Sequence, residues 1–146
     1  MKVILANDHG ALNIREEVLA ALKKNNFEVT DLGLTAGSGD YPDLAQAACQ
    51  EFNKGGYAFG VLMCGTGIGI SIAANKIAGI RCALIHDNFT AQMAKEHNNA
   101  NFIALGGRIS YGDTLTSIIQ NFINAHFAAG RHQLRLDKIT KLEKII

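Results

Sequence analysis

The chain has 146 residues, of which 48% are hydrophobic and 18% are charged, and its formal net charge is +1. This composition fits a single globular domain with a buried core and excludes an intrinsically disordered chain. The nearly balanced charge gives no general attraction to nucleic acid or to an anionic membrane, so any anion binding must come from a local arrangement of residues.

The first third of the sequence predicts two strands and two helices. Val3–Ala6 is an apolar strand, and Ala11–Lys24 has the spacing of an amphipathic helix with an inner face formed by Leu12, Val18, Leu19 and Leu22. Phe27–Thr30 is a short second strand, and the glycine-containing segment Gly33–Gly39 predicts a loop. Asp40-Tyr41-Pro42 then begins a helix, with Asp40 as the N-cap and the proline in the first turn.

The middle third predicts two more strands and two more helices. Phe59–Met63 is an apolar third strand, followed by a glycine-rich turn and a helix that runs to Asn75. Ile80–Ile85 is the fourth strand. Asp87 then caps a helix that ends near His97.

The last third predicts a strand at Phe102–Leu105, a helix over about 113–126 and, after Gly130, a terminal helix at Arg131–Ile146. This tail carries one apolar stripe that could pack on its own domain or on a second subunit, formed by Leu134, Ile139, Leu142 and Ile145. Arg131 and Arg135 lie on one helical face, where two arginines can hold a phosphate together. Taken alone, the tail fits an ordinary solvated charged face better.

Five strands separated by helices require parallel pairing through right-handed crossovers. The predicted fold is a single α/β domain over residues 1–146, a three-layer αβα sandwich around a doubly wound, Rossmann-like, five-stranded parallel sheet. Ligands bind such sheets at the carboxyl ends of the strands. The residues that follow those ends are Asp8-His9, Cys64-Gly65-Thr66, His86-Asp87 and Gly106-Gly107-Arg108.

The most informative segment is Cys64-Gly65-Thr66-Gly67-Ile68-Gly69-Ile70-Ser71, a glycine-rich turn between a buried strand and a helix. Unpaired backbone N–H groups at such a turn suit an anion and would stabilise a thiolate. The segment lacks the lysine of a phosphate-binding P-loop and the small third residue of a dinucleotide fingerprint, so no nucleotide is indicated. Cys64 is equally well read as a small buried residue that fills the end of the strand.

Two features bear on where the protein works. The chain opens on Met1–Leu5 and runs directly into polar residues, which predicts no signal peptide, and no apolar stretch could span a bilayer. Cys49, Cys64 and Cys82 are an odd number of cysteines without a CxxC pair, which argues against a disulfide framework. These features predict a cytoplasmic protein.

Several motifs in order along the whole chain resemble the type B ribose-5-phosphate isomerases, a family that includes the subunits of galactose-6-phosphate isomerase. The motifs are Asp8-His9, the Cys64–Gly69 loop with Ser71-Ile72-Ala73-Ala74-Asn75-Lys76, Gly79-Ile80-Arg81, His97-Asn98-x-Ala100-Asn101 and Gly130-Arg131-His132-x-x-Arg135. The resemblance implies an aldose–ketose isomerase of phosphorylated sugars that uses no cofactor and no metal. It also implies a homodimer or a dimer of dimers, in which the arginine-bearing tail reaches into the active site of the partner.

The resemblance also implies roles for individual residues. Cys64 is the base that moves a proton between C1 and C2 through a cis-enediolate, Thr66 assists at the substrate oxygens, and His97 opens the furanose ring. The residues expected to bind substrate are the backbone N–H groups around Gly65, Gly67 and Gly69, then Asp8 and Asn98 for sugar hydroxyls, and His9, Arg108, Arg131 and Arg135 for the phosphate.

Two departures from the family pattern leave the native sugar open. The family usually has Ala-Gly where this chain has Gly10-Ala11, and an aspartate where this chain has Asn99. Three hypotheses therefore stand: isomerisation of ribose 5-phosphate, the same chemistry on another sugar phosphate such as a hexose or tetrose phosphate, and a phosphosugar-binding module without turnover. The intact Cys64 and Thr66 argue against the third hypothesis.

Overall fold

The computed structural model describes residues 1–33 and 39–143, so most of the predicted loop at Gly33–Gly39 and the tip of the tail lie outside the described residues. The described residues form five strands: β1 (Lys2–Asn7), β2 (Glu28–Asp31), β3 (Tyr57–Cys64), β4 (Cys82–Leu84) and β5 (Phe102–Gly106). All pairs are parallel, in the order β2-β1-β3-β5-β4. The strand order reverses between β1 and β3, and doubly wound sheets bind their ligands at such a switch point.

In the same described ranges, six α-helices surround the sheet: α1 (Leu12–Lys24), α2 (Tyr41–Asn53), α3 (Ile68–Ala74), α4 (Asn88–Glu96), α5 (Leu115–Asn124) and α6 (Arg131–Leu142). Alternate side chains of each strand point to opposite faces, which creates two separate cores. One core joins the sheet to α1, α4 and α5. The other joins it to α2 and α3. The predicted three-layer α/β sandwich is therefore confirmed. Within the described ranges, no helix is long and apolar enough to cross a bilayer.

Four local predictions differ from the structure. Leu12 is 51% exposed and does not belong to the inner face of α1, because a 3-10 turn at His9–Ala11 precedes the helix and Ile14 is buried instead. Asp40 is the backbone N-cap of α2, but its side chain makes no capping hydrogen bond. α5 begins later than predicted, with Thr114 as its N-cap. β4 has three residues, not six, and before its first residue the Arg81 N–H donates to the Asn101 side chain instead of to a neighbouring strand.

The terminal helix packs with a different face from the one that the sequence suggested. His132 and Leu136, one turn apart, are its buried residues. Leu134 is 67% exposed, whereas Ile139 and Leu142, although 43% and 61% exposed, line a cavity of about 640 Å³ between α6 and the α3–β4 segment of their own domain. Ile145 lies outside the described residues. Of the two predicted alternatives, packing on its own domain therefore fits Ile139 and Leu142 in part and does not fit Leu134.

Candidate active site

A cleft of about 460 Å³ opens at the carboxyl ends of β1 and β3. We call it the Cys64 cleft. It is lined by Asp8, His9, Gly10, Tyr41, Cys64, Gly65, Thr66, Ile68, Gly69 and Arg108. The fold thus brings together most of the residues predicted for the site, because each of them follows the end of a parallel strand or begins the next helix.

Cys64 is the last residue of β3 and is 4% exposed. Its Sγ accepts a hydrogen bond from the Gly67 N–H at 3.2 Å. A backbone N–H pointing at sulfur is a favourable partner for a thiolate. The Gly67 N–H, which was predicted to bind the substrate, is therefore directed at the cysteine in this structure.

The turn after Cys64 depends on a left-handed residue. Gly67 caps α3 with φ 76°, and a Cβ there would approach Leu84 Cδ1 to 2.6 Å. Thr66 is exposed beside it, and its Oγ1 accepts a 3.3 Å hydrogen bond from the Ile68 N–H. The tight turn thus directs the Gly67 N–H at sulfur and leaves Thr66 in the lining of the cleft.

Asp8 is buried at the end of β1 and held by several backbone contacts. Its Oδ1 accepts from the Gly10 N–H at 2.8 Å, and its own N–H donates to the Met63 carbonyl at 3.1 Å. The Asn7 side chain, fully buried, donates to the Asp8 carbonyl at 3.0 Å and accepts from Arg15 Nη1 at 2.6 Å. A carboxylate fixed in this way can orient a sugar hydroxyl with little loss of entropy on binding.

Arg108 and His9, both exposed, line one side of the cleft. The Arg108 N–H donates to the Gly65 carbonyl at 2.8 Å, and its guanidinium lies so close that a Cβ on Gly65 would be 3.3 Å from Nη1. His9 begins the 3-10 turn after Asp8. An arginine beside a turn of N–H groups can hold a phosphate through several donors.

Tyr41 belongs to the cleft but was predicted only as the start of a helix. A Cβ on Gly69 would meet Tyr41 Cζ at 2.6 Å, so the ring lies directly over this glycine. The predicted order of strands and helices could have placed Tyr41 in the site. In a parallel sheet every crossover helix begins at the carboxyl edge, so the first residue of α2 had to lie near the ends of the strands.

His97 and Asn98 lie at the amino ends of the strands, opposite the carboxyl ends where the Cys64 cleft opens. α4 runs antiparallel to the strands, and His97, its C-cap, is roughly 13 Å from the start of this nine-residue helix. Arg81, immediately before β4, donates from Nε to the carbonyls of Asn98 and Asn99, each at 3.1 Å. These contacts place both residues at the amino ends of the strands.

The C-terminal helix α6 also lies near the amino ends of the strands. The Ala128 N–H donates to the Glu96 carbonyl at 2.9 Å, and α6 begins at Arg131. At the other end of the helix, Glu143 Oε1 accepts from the Gly79 N–H at 3.1 Å. Four predicted site residues therefore form a second group, which we call the tail cluster: His97, Asn98, Arg131 and Arg135. A single chain does not bring the tail cluster to the Cys64 cleft.

Comparison with known proteins agrees with the fold and the motifs. A family described as Ribose/Galactose Isomerase matches residues 3–139. A putative sugar phosphate isomerase of Bacillus subtilis is 42% identical, over 99% of this chain and 98% of the relative.

Two solved structures extend the comparison. Ribose-5-phosphate isomerase B of Clostridium thermocellum has a TM-score of 0.92 and 42% identity, with 99% of both chains covered. Ribose-5-phosphate isomerase B of Mycoplasma genitalium with bound ribulose-5-phosphate has a TM-score of 0.89 and 36% identity, over 99% of this chain and 97% of that one. This chain therefore belongs to the ribose/galactose isomerase family.

Proposed function

We propose that Cys64 is the base of an aldose–ketose isomerase that interconverts ribose 5-phosphate and ribulose 5-phosphate. The proposal rests on one observation above the others. Cys64 Sγ lies in an open cleft at the switch point of the sheet, with a backbone N–H directed at it. Family membership and the relatives named as ribose-5-phosphate isomerase B support the same reaction.

The reaction needs a base, a proton carrier between two oxygens and a partner for developing negative charge. The Cys64 thiolate removes the proton from C2 of the open-chain aldose, the C2–H electron pair forms the C1–C2 double bond, and the carbonyl π pair moves to O1 to give the cis-enediolate. Thr66 assists the transfer of a proton from O2 to O1. The protonated thiol then returns its proton to C1, which leaves a carbonyl at C2. Preorganised N–H donors at the enediolate are worth roughly 3 kcal/mol each.

The proposed binding groups follow from their positions. Asp8, held by the Gly10 N–H, orients sugar hydroxyls, and the N–H groups of Gly65 and Gly69 face the enediolate. Arg108 provides positive charge, and His9 a ring N–H donor, for the phosphate at the rim of the cleft. Tyr41 adds an aromatic wall that limits the width of the cleft.

Replacement of the proposed base tests the reaction. We expect Cys64→Ala to lower kcat by about 10²- to 10⁴-fold while the variant still binds ribose 5-phosphate in a calorimetric titration. Cys49→Ala is the matched control, because Cys49 is fully buried between α2 and the sheet, away from the cleft. Near-normal turnover by the Cys64 variant would contradict the assignment.

We infer in addition that two chains share each active site. The Cys64 cleft lies at the carboxyl edge of the sheet and the tail cluster at the amino edge, so His97, Asn98, Arg131 and Arg135 can serve a cleft only in another subunit. The exposed leucines on α6, Leu134 and Leu142, provide apolar surface for such a contact. A homodimer, or a dimer of two such dimers, is the simplest assembly that completes the site.

Mixing two defective subunits tests the shared site. One chain carries Cys64→Ala and the other carries Arg131→Ala together with Arg135→Ala. Co-expressed in equal amounts, they should form hybrid dimers with one intact site each, and recover about a quarter of wild-type activity through random pairing. If each chain completed its own site, the mixture would stay as inactive as its components.

The native sugar is tested separately with a kinetic panel of four- to six-carbon aldose and ketose phosphates. We expect the highest kcat/KM for ribose 5-phosphate. A preference for a tetrose or hexose phosphate would keep the chemistry and change the substrate, and binding without turnover would favour a phosphosugar-binding module.

We also propose a cytoplasmic location, supported by three free cysteines in the described part of the chain.

A further inference from the structure

The imidazole rings of His97 and His132 stack face to face, although the family resemblance gives a role, opening of the furanose ring, to His97 alone. Their centroids are 4.2 Å apart and their planes differ by 9°. His97 is the C-cap of α4, and His132 is the second residue of α6. The 2.9 Å hydrogen bond from the Ala128 N–H to the Glu96 carbonyl brings the two segments together immediately before this contact.

The two rings are held very differently. His132 is 8% exposed, and Leu136, one turn further along the same face of α6, is 5% exposed, so both side chains anchor the helix. His97 is only half-buried. The terminal torsion of a histidine is broad when packing does not restrict it. The buried ring of His132 therefore covers one face of the less buried His97 ring and restricts its rotation.

The surrounding charges keep His132 suited to this contact. Burial lowers the pKa of His132, and the neighbouring His97, Arg131 and Arg135 lower it further. The ring is therefore neutral at neutral pH. It adds no third positive charge between the two arginines, and it presents a neutral aromatic face to its neighbour.

We propose that His132 is a positioning residue that fixes the plane of the His97 imidazole for opening of the substrate furanose ring. The inference rests on the proposed function, in which His97 serves the cleft of a second subunit. Ring opening breaks the C1–O4 bond, transfers one proton from the anomeric hydroxyl O1 to O4, and leaves an aldehyde at C1. An imidazole can relay that proton only if its nitrogen edge faces both oxygens.

The chemistry of the two substrates separates this step from isomerisation. Ribose 5-phosphate exists mostly as a furanose and must be opened. Ribulose 5-phosphate cannot form a furanose, because the oxygen that would close the ring carries the phosphate. Exchange of its C1 proton with solvent requires the base and the enediolate, but it requires no ring opening.

The experiment compares these two activities at saturating substrate. We expect His132→Ala to lower kcat for ribose 5-phosphate about tenfold or more, while C1 exchange of ribulose 5-phosphate in D2O changes less than about twofold. His132→Phe restores a flat ring and should recover much of the lost kcat. His126→Ala, at an exposed histidine outside both groups of site residues, should leave both activities unchanged.

Each other outcome overturns the proposal. An equal loss of both activities in His132→Ala would mean that His132 supports the fold or the binding of phosphate, and an unchanged kcat would mean that the stack has no role. A Phe variant as impaired as the Ala variant would mean that a nitrogen of His132, not its flat face, is needed. Failure of the proposed function itself gives a different result, because Cys64→Ala would then retain both turnover and exchange.

Discussion

At the scale of single residues, the three cysteines show how position decides chemistry. Cys49 and Cys82 lie within the core between the sheet and the α2–α3 layer, and burial raises the pKa of Cys49 to about 12. Burial also raises the pKa of Cys82. Cys64 belongs to the same core, yet its sulfur borders the cleft and accepts a backbone N–H.

This contrast predicts selective alkylation. At about pH 8, iodoacetamide should modify Cys64 in step with the loss of activity, while Cys49 and Cys82 remain unmodified as long as the protein is folded. Ribose 5-phosphate should slow the modification. Peptide mass mapping against residual activity measures both effects, and faster labelling of Cys49 than of Cys64 would contradict the assignment.

The contact between Gly69 and Tyr41 predicts that substitution of Gly69 lowers activity without lowering stability. Gly69→Ala places a methyl group 2.6 Å from Tyr41 Cζ, so the ring must move, while the first turn of α3 gains about 0.5–1 kcal/mol in helix propensity. We expect kcat/KM for ribose 5-phosphate to fall several-fold at an unchanged or higher Tm. Kinetics and thermal melting measure the two effects, and an unchanged kcat/KM would show that the position of Tyr41 is not important.

At the scale of elements, α4 carries His97 at its end and is fixed at its start by a capping box. The Asp87 carboxylate accepts from the Thr90 N–H at 2.7 Å, and Thr90 Oγ1 accepts from the Asp87 N–H at 3.1 Å. Hydrogen bonds from the Thr90 backbone and then from its side chain lower the pKa of Asp87. This agrees with the predicted cap.

The lowered pKa gives the sign of the dependence of stability on pH. The cap stabilises the folded chain above the unfolded carboxyl pKa of about 4, and its contribution disappears as the pH falls through the lower folded value. Asp87→Ala should therefore lower Tm at pH 7 and have little effect near pH 2. Asp87→Asn keeps an acceptor oxygen, so at pH 7 its Tm should lie between those of the wild type and of Asp87→Ala. A constant difference in Tm at all pH values would contradict this account.

The elements also show what the sequence could and could not predict. Val3–Ala6 and Phe59–Met63 are continuous apolar runs, so their burial on both faces of a parallel sheet was predictable. Leu12 and the α6 stripe were not, because periodicity shows which residues share a face but not which neighbour that face meets. For the same reason the sequence indicated chemistry at both Cys64 and His97, but only the topology shows that they lie at opposite edges.

At the scale of the whole molecule, the exposed face of α6 carries the prediction for assembly. Leu134→Glu places one charge per subunit in the proposed interface. Each charge should cost about 2 kcal/mol of binding free energy, so the dissociation constant of the dimer should rise roughly 10³-fold. Thr140→Glu, at an exposed position about 120° around the same helix from Leu134, is the control. Sedimentation velocity measures the mass of the particle. A Leu134→Glu variant that dissociates only at the same low concentration as the wild type would contradict a dimer interface on this face of α6.

The separation of the cleft from the tail cluster has a kinetic consequence. If neither edge of the sheet can work alone, a folded but isolated subunit is inactive, and the rate depends on the square of protein concentration wherever monomers predominate. Specific activity would then fall on extreme dilution and return on reconcentration, with no unfolding in between. The abundance of the protein would itself set the fraction of chains able to turn over sugar.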